Sequence, residues 1–256
     1  MKLYQLVFSP TGGTAKVCNS IAAGFSCEKE TISMLPAQGS MPVLALTEND
    51  VVILAVPSFG GRIPAPVKER LNGVKGRGAK TILVIAFGNC VYADTLVELK
   101  DLAIEHGFDC VAAITAVTQH SIVPEVANGR PNAADKLELN RWGEAIYRRL
   151  AAGKEFAPFE VPGNRPYKEF NGIPFHPSAD EKCVFCGRCA AVCPSGAIER
   201  NSPNETNHER CITCMACINI CPQNARSIPQ EALSAISERL VELCRDPKVN
   251  EVFGLD

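Results

Sequence analysis

Over residues 1–153 the chain alternates between short apolar runs and longer stretches with a helical period. Lys2–Phe8, KLYQLVF, reads as a buried strand, and AKVCNSIAAGF after it reads as a helix. Glu28–Ser33 is a short second strand. VVILAVP at Val51–Pro57 and KTILVIAF at Lys80–Phe87 are unbroken apolar runs, typical of strands covered on both faces of a parallel sheet. Between them Pro64 and Pro66 open a helix, positions that suit a first turn. A helix over ADTLVELKDLAIEHG closes at Gly107, and Phe108–Val117 is the last strand. The loop Thr118–Arg130 is about twice the usual connection length. A helix then runs from Pro131 to near Ala152. Five strands alternating with helices predict an α/β fold with a doubly wound parallel sheet. Ligands of such sheets sit beyond the carboxyl ends of the strands.

Periodicity ends after this domain. Residues 154–179 hold five prolines and two glycines, and read as an extended linker. Phe156, Phe159, Tyr167, Phe170 and Phe175 would pin it to a surface, because so many exposed aromatics would otherwise form an apolar patch. Residues 180–228 are cysteine-rich, and 229–256 begin with a helical pattern, PQEALSAISERLVELCRD, read as a capping helix.

Composition adds limits. The hydrophobic fraction is 46% and the net charge is −2, which builds a core easily and argues against nucleic acid as a partner. No apolar run approaches the roughly 18 residues of a membrane span, and the N-terminus shows no cleavage site. A cytoplasmic, soluble protein is expected. Nothing resembles a Ser-His-Asp set, a paired-carboxylate site or a G-x-G-x-x-G fingerprint.

Three strand ends carry loops of small or polar residues. After the first strand comes Ser9-Pro10-Thr11-Gly12-Gly13-Thr14, then a helix. The glycines let N–H groups point at an anion, the hydroxyls of Ser9, Thr11 and Thr14 donate to it, and the helix terminus adds its dipole. With no lysine, the loop suits a monophosphate bound without metal, such as that of FMN. A tight turn with no ligand is the alternative. The other two loops are Pro57-Ser58-Phe59-Gly60-Gly61-Arg62 and Phe87-Gly88-Asn89-Cys90-Val91-Tyr92. That all three close the same sheet edge favours a ligand.

Eight of the thirteen cysteines spell C-x2-C-x2-C-x3-C-P twice, between Cys183 and Pro222. Three closely spaced thiolates can reach three irons of one cubane, and the fourth cysteine ligates the other cluster. One 4Fe–4S cluster is therefore assigned to Cys183, Cys186, Cys189 and Cys221, the second to Cys193, Cys211, Cys214 and Cys217. Structural zinc does not require a fourth cysteine followed by proline, and a disulfide framework needs an oxidising compartment. Pro194 and Pro222 turn the chain, while Gly187, Ala190 and Ala216 leave room near a cluster.

The cysteine motifs resemble those of bacterial-type two-cluster ferredoxins. SPTGGTAK looks like the FMN phosphate loop of flavodoxins, and VPSFGGRIP and AFGNCVYADT look like their two other flavin loops. Together they make the chain similar to the EFR-type ferredoxin family, a flavodoxin-like domain fused to a two-cluster ferredoxin domain. The resemblance implies a 2-1-3-4-5 strand order and noncovalent FMN. It implies phosphate binding by Ser9, Thr11, Gly12, Gly13 and Thr14. Pro57, Ser58, Phe59 and Gly60 would line one side of the ring, and Gly88, Asn89 and Tyr92 the other. The family's stacking Trp has no counterpart here, since Trp142 lies on the last helix; Phe59 and Tyr92 are the available substitutes.

The expected function is electron transfer between two clusters, FMN and redox protein partners. The alternative is a reductase of a small molecule at the flavin edge, with Thr118–Arg130 as a lid. A homodimer stays open. His120, in that loop, is the histidine closest to the expected flavin edge; Cys90 reads as a solvated loop thiol, and Cys18 and Cys110 as core packing. The basic stretch from Arg62 to Lys80 could dock an acidic carrier, though a solvated helix face is the commoner explanation.

Overall fold

The computed structural model describes residues 1–35 and 41–255. Strands β1 (Leu3–Val7), β2 (Lys29–Ser33), β3 (Val51–Pro57), β4 (Lys80–Phe87) and β5 (Asp109–Val117) are parallel neighbours in the order β2-β1-β3-β4-β5. The order reverses between β1 and β3, which opens a crevice at their carboxyl ends. Helices α1 (Gly13–Ala22), α2 (Ala65–Leu71), α3 (Thr95–Glu105) and α4 (Ala133–Ala151) connect them.

The apolar runs split by pleat into two cores. Leu6, Leu54, Val56, Leu83 and Ile85 face α2 and α3, meeting Val67, Leu71, Leu96 and Leu99. Leu3, Ile53, Ala55, Ile82 and Val84 face α1 and α4, meeting Val17, Ile21, Leu139 and Ile146. Each such burial contributes roughly 1.5–3 kcal/mol. Gly143 lets α4 approach α1 closely, because a Cβ there would strike the Ile21 carbonyl. Asn132 and Asp135 form a capping box at the start of α4 (3.1 and 2.7 Å).

The linker is bound along α3 and the neighbouring loops. The Asp94 carboxylate accepts from the Asn164 and Lys168 N–H groups at 2.8 and 2.7 Å. Asp101 holds Arg165 in a two-point pair and accepts from the Tyr167 hydroxyl. Phe156 and Phe159 pack against the two cores, and the Phe170 ring lies on Gly60.

The cysteine-rich part is small. β6 (Ser178–Ala179) pairs antiparallel with β7 (Arg226–Ser227), enclosing the short helices α5 (Arg188–Val192) and α6 (Ala216–Asn219). The C-terminal segment departs from the expectation of a cap made only of helix. After α7 (Gln230–Leu243), β8 (Glu251–Phe253) returns to the main sheet and pairs antiparallel with β5. Asn250 fixes that return, accepting from the Val117 N–H at 2.9 Å and donating to Asp135 and Glu138. Three residues of strand are too short to carry a periodic signal. Among the described residues no helix is long and apolar enough to cross a membrane.

Candidate functional site

The first loop ends in Gly12, whose φ of +88° turns the chain into α1 without a side-chain cap. Glycine suits this left-handed position. Ser9 Oγ accepts from the Ala15 N–H at 2.9 Å and keeps its own hydrogen to donate. Among the described residues, the N–H groups of Thr11, Gly12, Gly13 and Thr14 and the hydroxyls of Thr11 and Thr14 make no hydrogen bond within the protein. The first turn of α1 has no acidic residue. Unspent donors and an uncompensated helix terminus suit an anion.

This loop opens into a cleft of about 60 Å³ at the carboxyl edge of the sheet. Thr11, Gly13 and Thr14 line it from the first loop, Pro57, Ser58 and Phe59 from the second, and Gly88 from the third. Five expected residues do not line it: Gly12 forms the turn into α1, and the other four stand elsewhere. Ser9 sits behind the loop, its Oγ taken up by the Ala15 N–H. Gly60 faces the linker, under Phe170. Asn89 donates from Nδ2 to the Cys244 and Asp246 carbonyls (2.7 and 3.2 Å) and accepts from the Lys248 N–H at 2.9 Å. Tyr92 donates to Glu251 at 3.0 Å and packs edge-on against Phe87. The C-terminal return therefore occupies the side chains of Asn89 and Tyr92, and sequence spacing carries no sign of it.

The loop after β5 supplies the remaining wall. Thr118 backs Gly13, where a Cβ would meet it at 3.4 Å. His120 packs on Gly88, and its Nδ1 accepts from the Ile122 and Val123 N–H groups at 3.2 and 3.1 Å. The ring proton is thereby placed on Nε2, and burial holds the imidazole below its ordinary pKa, hence neutral. A larger cleft of about 590 Å³ adjoins, between Thr11, Lys16 and His120 on one side and Met215, Ile218 and Leu233 on the other.

In the small domain the eight cysteines separate into two groups of four. Cys183, Cys186, Cys189 and Cys221 line one cavity. Cys214 lies in electrostatic range of Cys193, Cys211 and Cys217. Each group thus takes its fourth member from the other repeat. Among the described residues no metal-ligating side chains converge as a single ion requires; a cubane asks for a wider cage, one thiolate per iron. Backbone N–H groups also aim at the crossing sulfurs, Ala197 at Cys193 (3.2 Å) and Ala225 at Cys221 (3.3 Å).

The two parts meet at the cleft. Cys214 lines the same cleft as Phe59 and Gly88, whereas Cys186 is exposed on the outer side. Arg70 of α2 donates to the Pro194 carbonyl at 2.5 Å, which uses part of the basic stretch inside the molecule. Cys90 is not a free loop thiol: it is disulfide-bonded to Cys244, with 4.5 Å between the Cα atoms, and ties the third loop to the end of α7. Cys18 is buried, and burial pushes its thiol up to about 12 against a hydrogen bond from Gln5, as inert packing requires.

A doubly wound sheet of order 2-1-3-4-5 with its site beyond the carboxyl ends is the flavodoxin-like arrangement. Here the sheet is extended by β8 and joined to an iron–sulfur domain: residues 177–222 match the family described as 4Fe-4S dicluster domain. Solved structures similar to this chain include a flavodoxin from the domain Archaea, 14% identical, covering 59% of this chain and 99% of that one with a TM-score of 0.43. Another is the rubredoxin oxygen:oxidoreductase from the anaerobe Desulfovibrio gigas, 18% identical, covering 59% and 36% with a TM-score of 0.42. A third is the two-electron reduced flavodoxin of Megasphaera elsdenii, 20% identical, covering 57% and 98% with a TM-score of 0.39. No curated protein matches the chain.

Proposed function

We propose that this protein carries electrons between two 4Fe–4S clusters and an FMN, and exchanges them with a redox protein partner, as a fusion of the EFR type. Cys183, Cys186, Cys189 and Cys221 hold one cluster; Cys193, Cys211, Cys214 and Cys217 hold the other. Thr11, Gly12, Gly13 and Thr14 hold the FMN phosphate, with Ser9 behind them. Pro57, Ser58, Phe59 and Gly88 border the ring. When bound, FMN exchanges electrons singly or in pairs and the clusters exchange them singly.

One observation carries this reading: Cys214 belongs to the second cysteine group and is also a wall of the cleft formed by the three loops. Cys186, from the first group, is exposed. The chain thus offers one cysteine group to a partner at the surface and the other to the cleft inside. His120 borders the cleft and presents a neutral Nε2–H donor there.

The test is iron, sulfide and flavin content of protein purified without oxygen, where about eight irons and one FMN per chain are expected. Replacing Thr11 and Thr14 together by alanine removes hydrogen bonds to a charged phosphate, each worth about 1.5–3 kcal/mol, so FMN affinity drops at least tenfold with iron unchanged. Unchanged FMN affinity in that variant would refute the phosphate assignment.

The adjoining cleft of about 590 Å³ favours a second reading. It is roomy enough for a small organic acceptor, which would make the protein an FMN-dependent reductase with His120 as hydrogen-bond donor. Turnover with small acceptors that His120→Ala diminishes, while FMN content stays constant, would select this reading.

A further inference from the structure

Arg226, in β7, is only 3% exposed. Its Nη1 donates to the Pro203 carbonyl at 2.6 Å and reaches the Cys189 sulfur at 3.9 Å. Its Nη2 donates to the Pro177 carbonyl at 3.4 Å and to the Thr206 hydroxyl. Its Nε–H has no hydrogen-bond partner, and no carboxylate pairs with the guanidinium, among the described residues. Its charge also reaches Cys217. One buried cation therefore lies beside Cys189 and within electrostatic range of Cys217, with no carboxylate of the described residues paired to it. Such a charge is strongly disfavoured unless something compensates it.

The internal repeat shows that packing does not require arginine here. Cys193-Pro194-Ser195-Gly196-Ala197-Ile198 corresponds to Cys221-Pro222-Gln223-Asn224-Ala225-Arg226. The backbones agree, since Ala197 and Ala225 donate equivalently to Cys193 and Cys221. Ile198 is 5% exposed and lies in one apolar cluster with Cys189, Cys193 and Cys217. Arg226 instead lines the cavity of Cys183, Cys186, Cys189 and Cys221. An apolar residue fills the position beside one cysteine group and a cation fills it beside the other.

We propose that Arg226 is a positioning residue that serves as counter-charge to the clusters and makes them unequal, holding the cluster of Cys183, Cys186, Cys189 and Cys221 at the higher reduction potential. The inference rests on the two clusters of the proposed function. A cubane held by four thiolates is anionic and gains one more negative charge when it accepts one electron. A cation fixed in a water-poor interior stabilises that added charge, most for the cluster it borders. The protein's levers on cluster potential include net charge and hydrogen bonds to sulfur, and Arg226 supplies both.

The experiment is an anaerobic redox titration with dithionite as the one-electron donor, followed by EPR, on the full chain and on Arg226→Ile and Arg226→Lys, with iron and sulfide measured in each. The full chain should show two resolved reduction steps. Arg226→Ile, which copies the other repeat, should lower the reduction equilibrium of one cluster at least tenfold, 59 mV for one electron, and that of the other by less. Arg226→Lys should fall between. Unchanged separation of the steps in Arg226→Ile at full iron content overturns the proposal. So do coincident steps in the full chain, which decides the matter even where the isoleucine variant fails to hold iron. Low iron in the unmodified protein would instead overturn the cluster reading itself.

Discussion

Residues 183–198 and 211–226 are the same backbone written twice with different surroundings. Each cluster cysteine recurs 28 positions later, from 183 to 211 and from 193 to 221. Phe185 and Thr213 share φ values of +54° and +53°, and Gly187 and Met215 share +70° and +64° just before α5 and α6. The contexts diverge. Val184 and Phe185 are 60% and 61% exposed beside exposed Cys186, whereas Thr213, Cys214 and Met215 are buried against the sheet domain. Spacing and handedness are what cluster ligation needs, so both copies keep them. The residues between the cysteines follow their neighbours: solvent for the first copy, the cleft for the second. A repeat can thus conserve chemistry while its two copies take up different positions in one path.

The strongest way to break this comparison is to remove one thiolate from each copy. Cys186→Ser and Cys214→Ser should each cost about half of the iron. Only Cys214→Ser should also stop FMN from being reduced by a low-potential donor in stopped-flow measurements. Equal effects on flavin reduction would show that the two copies are interchangeable.

A smaller effect comes from the paired left-handed positions. At Gly187 no protein atom lies within 4 Å of where a Cβ would stand, so Gly187→Ala should cost at least the conformational penalty, about 1–2 kcal/mol. Met215→Gly relieves that same penalty but deletes a buried side chain worth about 2–5 kcal/mol, leaving a net loss of roughly 0–4 kcal/mol. Thermal unfolding followed by cluster absorbance reads both, and a stabilised Met215→Gly would mean that the contact across the cleft contributes nothing.

The mildest test is pH. The linker leading into the first copy is clamped by Asp94, whose carboxyl is held below its ordinary value by the Lys168 N–H and then by Asn164. A depressed folded pKa gives stability that is fully present above the ordinary value of about 3.9 and is lost as pH falls through the folded value. Protection factors of the Asn164 and Lys168 N–H groups, exchange corrected for its intrinsic pH dependence, should therefore be flat from pH 7 to about 5 and fall below about 4. Asp94→Asn should abolish that fall by starting low.

Much of this is legible in the residues alone. Unbroken apolar runs such as VVILAVP mark strands covered on both sides, and the observed bounds of β3 are those of the run. The spacing sets Cys193 and Cys221 one residue too far along to join their own three neighbours, and the two-cluster ferredoxin pattern sends each to the other group. Sequence reasoning goes astray where long-range packing chooses a rotamer. Asn89 and Tyr92 look like flavin-loop residues, yet their side chains bind a segment about 155–160 positions away. Cys90 reads as a lone thiol until Cys244 is brought beside it.

The sequence by itself determined what is local and periodic: the alternating sheet domain, the hydroxyl- and glycine-rich turn into α1, and two cysteine motifs of fixed spacing. Those follow from short-range sterics, side-chain periodicity and ligand reach. Only the tertiary structure decided that β8 closes the sheet edge, that Cys214 rather than Cys186 faces the cleft, and that Arg226 lies buried between the cysteine groups. These depend on which surfaces exclude water from each other, a property of the folded whole that no window of residues contains.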